Sequence, residues 1–168
     1  MSRTLKITPT ESVTIRESTP ELLVVEATYA PAGKEPPKHY HPSQDEHFEV
    51  LTGRVEVRAG GEERTVATGE TIDIPRGTPH QIWNPGGEPA RVVWQTRPGG
   101  RTERWFAAID SLHREGRVGR NGMPGPLAFA ALLSEYDDVF RLAVGPEPLV
   151  RGGLALLAPL GRMRGYAR

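Results

Sequence analysis

The stretch from Arg54 to Asn84 holds three turn signals so close together that only short strands fit between them. Gly60-Gly61, Thr68-Gly69-Glu70 and Pro75-Arg76-Gly77 each offer residues suited to the backbone of a tight turn. Arg54-Val55-Glu56-Val57-Arg58 alternates polar and apolar, Glu62 to Ala67 follows the first turn, and Thr71-Ile72-Asp73-Ile74 follows the second. Period two sends alternate side chains to opposite faces of a strand. These intervals are too short for stable helices. Glycine (19) and proline (16) are about a fifth of the 168 residues, which extends the same punctuation along the chain.

Further strands are expected at Glu21 to Ala30, Pro79 to Asn84 and Ala90 to Thr96. Many short strands at close spacing predict an all-β sandwich or barrel. At Arg97-Pro98-Gly99-Gly100 the pattern changes. Trp105, Phe106, Ile109 and Leu112 recur at helical spacing, so a helix is predicted over 102–117, with Thr102 as its N-cap. A second helix is expected over Leu127 to Leu142, and a short third one after Leu149, weakened by Gly152-Gly153 and Pro159. The chain thus divides into a β domain over 1–100, with N-terminal strands, and a helical extension over 101–168. The apolar faces of those helices need cover, from the outside of the β domain or from a second subunit.

Bulk properties exclude several function classes. Lys plus Arg (21) equals Asp plus Glu (21), so the net charge favours neither nucleic acid nor a membrane surface. The absence of cysteine excludes disulfides and thiolate metal sites. The first residues carry no apolar signal segment, and no run of 18 apolar residues occurs, so no membrane span and a cytoplasmic location are expected. Arg151, Arg162, Arg164 and Arg168 read as a solvated face.

Two glycine-framed motifs carry the chemistry. The first runs from Gly33 through His39-Tyr40-His41 and Glu46 to Gly53. The second runs from Gly69 through Pro75-Arg76-Gly77 and His80 to Asn84. Residues two apart in a strand share a face, so His39 and His41 point the same way. Glu46 shares a face with Phe48 and Val50. Donors on separate strands meet only where the sheet curls. Three imidazoles and a carboxylate suit one divalent first-row metal with positions left open, whether iron, manganese, nickel, zinc or copper.

Both motifs resemble the paired motifs of the cupin superfamily at every named position, with a short gap at 54–68. The likeness covers residues 20–97 and is that of a small, single-domain, metal-binding cupin. It implies a double-stranded β-helix, or jelly-roll, barrel with the C-terminal helices packed outside. It implies His39, His41, Glu46 and His80 as metal ligands and a homodimer as the assembly. The complete ligand set is similar to that of cupin dioxygenases such as quercetinases and acireductone dioxygenases. An oxygenase-type enzyme acting on a small organic substrate is therefore the first expectation, with Glu46 also able to accept a substrate proton. A non-enzymatic ligand-binding module and a metal-dependent isomerase are the alternatives. Tyr40, Phe48, Ile82 and Trp94 are candidates to line the pocket, and Gln44 and Gln95 to contact substrate. His47 is expected on the outer face, His113 in solvent and Trp83 outside the barrel. No inward acid beyond the ligands stands out; Asp73 and Glu49 are the nearest in sequence. That lack favours oxygen chemistry over acid–base isomerisation.

Overall fold

In the computed structural model, which describes residues 3–119 and 122–166, the chain turns where glycine admits a left-handed backbone. Gly60 and Gly61 have φ of 58° and 94°, Gly69 of 84° and Gly77 of 76°. These turns separate strands β1 (Thr4–Thr8), β2 (Glu11–Ser18), β3 (Leu23–Tyr29), β4 (His39–Tyr40), β5 (Asp45–Thr52), β6 (Arg54–Ala59), β7 (Glu62–Ala67), β8 (Thr71–Ile74), β9 (His80–Trp83) and β10 (Ala90–Arg97). Helices α1 (Thr102–Arg114) and α2 (Pro126–Glu135), strand β11 (Arg141–Leu142) and helix α3 (Glu147–Met163) follow. Arg168 lies outside the described residues.

The strands form two antiparallel sheets, ordered β1-β2-β3-β10-β5-β8 and β11-β4-β9-β6-β7. Val13, Val25, Val50 and Val92 face inward from the first, and Val55, Val57, Val66 and Ile82 from the second. Burying each such side chain stabilises the fold by about 1.5–3 kcal/mol. No ladder joins the two sheets among the described residues, so the expected closed barrel is a two-sheet sandwich. The reason is visible at β7 and β8, which end adjacent edges and are linked by the Thr68–Glu70 turn. Gly53 shows how tight the frame is: its φ is 76°, and a Cβ would lie 2.7 Å from the Pro89 carbonyl oxygen.

The helical region departs from expectation in three ways. Arg101, not Thr102, precedes α1, and no side chain caps that end. Thr102 is buried, and its Oγ1 accepts a hydrogen bond of 2.7 Å from Gln44 Nε2. The second helix stops at Glu135 instead of running to Leu142. Asp137 and Asp138 are poor helix formers, and their acceptors are taken by Arg141 and Arg101. Arg141 and Leu142 then pair with Tyr40 and His39 as a strand. Finally, α3 continues through Gly152, Gly153 and Pro159 as one helix. It crosses α2 at Gly161, where a Cβ would sit 2.3 Å from the Leu127 carbonyl oxygen. Leu149, Leu156 and Met163 on α3 stand in solvent at 73%, 78% and 84% exposure. Trp105, Phe106, Ile109 and Leu112 of α1 are buried, as their spacing predicts. Asp110 of the same helix accepts a 2.9 Å bond from the Lys6 backbone N–H of β1. No helix among the described residues is long and apolar enough to cross a membrane.

Candidate metal centre and its chamber

The ladder between β4 and β9 sets His39 directly opposite His80. His41 follows two residues after His39 and shares its face. One ring nitrogen from each of the three lies within 4.8 Å of the other two. The opposite sheet supplies Glu46, buried on β5 between Thr96 and Ile74. Its Oε1 lies 3.2 Å from His41 Nε2 and its Oε2 3.1 Å from His80 Nε2. The cluster therefore spans both sheets.

Each imidazole is oriented by a backbone carbonyl. His39 Nδ1 donates to Pro37 O at 2.9 Å, His80 Nδ1 to Thr78 O at 2.9 Å, and His41 Nδ1 to Val139 O at 2.6 Å. A carbonyl oxygen only accepts, so the protons sit on Nδ1 and each Nε2 keeps its lone pair. The ring of Phe140 stacks on His39 at 4.4 Å and 16°. Trp94 Nε1 donates to Glu46 Oε1 at 3.0 Å and fixes that carboxylate.

The electrostatics follow from burial. Burial, reinforced by the neighbouring His80 and His41, pushes His39 well below the usual histidine range. Burial also lowers His41. For His80 burial acts downward, but the hydrogen bond and charge of Glu46 outweigh it and raise the pKa. For Glu46 burial acts upward, yet His41, His80 and the Trp94 bond together hold it below the ordinary value. Burial keeps His39 and His41 neutral beside an ionised Glu46, as a metal requires, and a bound cation would displace the proton that Glu46 favours on His80 Nε2.

These residues fit a divalent ion. His41 Nε2 and Glu46 Oε2 are buried without a hydrogen-bond partner. Across the 3.2 Å His41–Glu46 contact acceptor faces acceptor, which a cation between them would satisfy. Neighbouring ligands on one ion, with bonds of ~2.0–2.2 Å, stand about that far apart.

The cluster opens on a cavity of about 110 Å³. Phe48, Ile82 and Trp94 line it, as expected, with Trp105, Phe106, Phe129 and Phe140. The structure does not bring Tyr40, Gln44 and Gln95 there. Tyr40 lies between two inward histidines in sequence, so strand alternation turns it away, beside Arg141 of β11. Gln44 is buried, but its Nε2 is spent on Pro98 O at 2.8 Å, Gly99 O at 3.2 Å and Thr102 Oγ1 at 2.7 Å. Gln95 lies on the outer face, where its Oε1 accepts from Arg97. His47 faces outward and pairs with Asp73 at 2.7 Å. His113 Nε2 approaches the Ile7 carbonyl oxygen at 3.3 Å. Trp83 lies against the Arg58 guanidinium, 5.6 Å from ring centre.

Three functional features escape the motif reading. Val139 and Phe140 reach the histidines from the far side of α2, and no local pattern signals that return. Trp94 is expected on the pocket wall, but no sequence signal marks the bond from its indole N–H to Glu46. Glu11 lines the cavity opposite Tyr29, and the expectation of no inward acid is thereby corrected. Burial pushes the Glu11 carboxyl up to about 7, opposed by a hydrogen bond from Tyr29. Alternation alone carries the signal: Glu11 shares its face with Val13, a fully buried residue.

The family assignment rests on this fold and on sequence likeness together. Residues 25–96 match the cupin domain family, and this stretch is a domain of the cupin superfamily. It is 39% identical over 66 residues to the tetracenomycin polyketide synthase protein TcmJ of Streptomyces glaucescens, covering 39% of this chain and 44% of that one. It is 38% identical over 66 residues to an oxidoreductase, AOL_s00215g277, of Arthrobotrys oligospora, covering 38% and 26%. The polyketide synthase CurC of Streptomyces cyaneus is 36% identical over 61 residues, covering 36% and 40%. The matched segments thus span less than half of each curated relative. Among solved structures, TT1209 of Thermus thermophilus is 28% identical, with a TM-score of 0.51, covering 55% of this chain and 89% of that one. A RmlC-like cupin from Shewanella frigidimarina shares the fold at 16% identity, TM-score 0.52, covering 58% and 84%.

Proposed function

We propose that this protein is a metal-dependent enzyme of the oxygenase type, acting on a small, largely apolar molecule that carries an enol or phenol oxygen. One observation carries the reading. Three imidazoles with Nδ1 committed to carbonyls turn their free Nε2 atoms toward one point, beside Glu46, at the wall of an aromatic chamber. His39, His41, His80 and Glu46 would hold one divalent ion, which supplies Lewis-acid chemistry, or redox chemistry if it is iron, manganese, nickel or copper.

The remaining work belongs to the chain. Phe48, Ile82, Trp105 and Phe140 present flat apolar surface that orients a ring and excludes water. A cavity of about 110 Å³ is smaller than the ~150 Å³ engineered cavity that holds benzene, so it limits the body of the ligand to at most about one ring. Trp94 holds Oε1 of Glu46, and Oε2, once off the ion, would be the atom able to accept a proton from a bound enol or phenol. The names of the relatives support this class. Polyketide chains are rich in enolisable ketones and phenols, and one relative is called an oxidoreductase.

A second reading, isomerisation by proton transfer without redox change, is favoured by Glu11 on the chamber wall. The two separate in one experiment. Protein purified without added metal is analysed for bound ions, then loaded with iron or manganese and given single-ring enols and phenols in an oxygen electrode. Oxygen uptake stoichiometric with substrate loss is the expected result. Turnover without oxygen uptake selects the isomerase. Tight binding with no turnover leaves a ligand-binding module.

A further inference from the structure

Glu11 stands on the chamber wall, which among the described residues carries no lysine or arginine. It opens β2, opposite Thr8 of β1 and Tyr29 of β3. The bulge between Lys6 and Thr8 brings β1 into register there. Tyr29 is 5% exposed, faces Glu11 across the β2–β3 ladder and tempers the upward shift of its carboxyl. Apart from these two, Thr8 and the three imidazoles, the lining is aliphatic, aromatic, methionine or proline.

A carboxylate in such surroundings costs stability, and a cation would ordinarily accompany it. A threonine or a glutamine would pack there at lower cost. An acid shifted by burial and placed in a cleft is a candidate functional position. The pair also lines a small cleft behind it, together with Lys34 and Asn84, so it is the wall between two spaces.

We propose that the Glu11–Tyr29 pair is a second ligand-contacting and proton-exchanging point of the chamber. The ligand is then a one-ring molecule with two oxygens, one met by the histidine cluster and the other, a hydroxyl, met by Glu11. This rests on the reading of the chamber as the substrate site. Ionised Glu11 accepts the ligand hydroxyl as a charge-assisted hydrogen bond. When the proton transfers, the ligand O–H bond breaks, a carboxyl O–H forms, and the ligand keeps the electron pair as phenolate or enolate. Return of that proton to carbon or oxygen closes the cycle with no oxidant. Tyr29 is a positioning residue, holding the carboxylate through its hydroxyl. Tyr29 faces Glu11 from β3, neutral Thr8 faces it from β1, and Lys34 lies across the small cleft. Glu46 acts on Tyr29 from the chamber side.

The test is calorimetric titration of the zinc-loaded full chain with resorcinol and with its monomethyl ether, from pH 5 to 8.5. The wild-type protein should prefer resorcinol by about tenfold at pH 8, the size of one charge-assisted hydrogen bond, and lose that preference toward pH 5. Glu11→Gln should remove the preference at every pH while binding zinc unchanged. Tyr29→Phe, which keeps the ring, should move the midpoint of the preference to higher pH by withdrawing a bond that favours the carboxylate. A preference that persists in Glu11→Gln overturns the proposal. So does a wild-type protein without preference, or a midpoint that ignores Tyr29→Phe. Failure to bind zinc with the preference intact would instead sink the metal reading and leave Glu11 standing.

Discussion

His41 and Val139, 98 positions apart in the chain, are joined by a hydrogen bond of 2.6 Å from imidazole Nδ1 to carbonyl oxygen. The bond fixes the tautomer of a buried histidine from outside the segment that carries the histidine motif. Phe140, the next residue, stacks on His39. One short return of the chain after α2 therefore supports two of the three imidazoles.

Phe140→Ala should weaken divalent metal binding by about tenfold, the usual effect of losing support behind a ligand. It should also cost about 2 kcal/mol of stability, less than a full core truncation because Phe140 is only half-buried. Metal titration and denaturant melts read the two effects separately. Unchanged metal affinity would show that the stacking contact does not support the site.

Metal should stabilise the fold by mass action, since the donors come from both sheets. Zinc at a hundredfold excess over its Kd should add about 2.7 kcal/mol, seen as a rise in Tm. His80→Ala should lose most of that rise, and chelation should reverse it in the wild-type protein.

Trp94→Phe keeps an aromatic ring against Phe48 and Phe106 and removes only the indole N–H. Glu46 then loses its 3.0 Å donor. The expected outcome is a loss of ~1–3 kcal/mol in the metal-free protein, together with weaker metal binding. Equal stability of the two proteins would make the Trp94–Glu46 bond incidental.

Glu11 predicts a pH slope with a definite sign. Its carboxyl sits at about 7 in the fold against 4.5 when free. Below 4.5 both states carry the proton and no penalty exists. Between those values the native state holds more protons than the unfolded one, so stability falls as pH rises. The loss is on the order of 2–3 kcal/mol by pH 8. Melting curves of Glu11→Gln at pH 5 and 8 should lack this component.

Gln44→Ala tests a structural role against the substrate role first expected. Its amide ties the approach to β5 to the Pro98–Thr102 segment through three acceptors. Loss of about 2 kcal/mol is expected with metal affinity unchanged.

The candidate ligand set is legible in the sequence because strand alternation and turn chemistry are local, and the two motifs spell both. Phe48, Ile82 and Trp94 follow from the same alternation. Tyr40 is misplaced by the sequence reading although that rule applies to it, because an aromatic between two ligands invites a functional role. Gln44 and Gln95 show the limit of polarity as a guide: one is consumed by backbone carbonyls and the other faces out. The helix expected through Leu142 fails because Leu142 pairs with His39, and pairing across a hundred residues leaves no periodic trace. Glu11 needs only the alternation with Val13, in a segment whose strands carry few apolar residues to mark them.

The chamber draws its wall from two parts of the chain. The histidines and Glu46 fall within residues 25–96, whereas Trp105, Phe106, Phe129 and Phe140 all come later. The candidate donors and much of the aromatic wall are thus written in different stretches of the gene, so part of the wall can change while the donors stay fixed. Rewriting Trp105, Phe106 and Phe129 would reshape the chamber while leaving the donors, Val139 and Phe140 in place. A recombinant that kept 25–96 and borrowed a foreign extension would keep its donors but lose the carbonyl that aims His41.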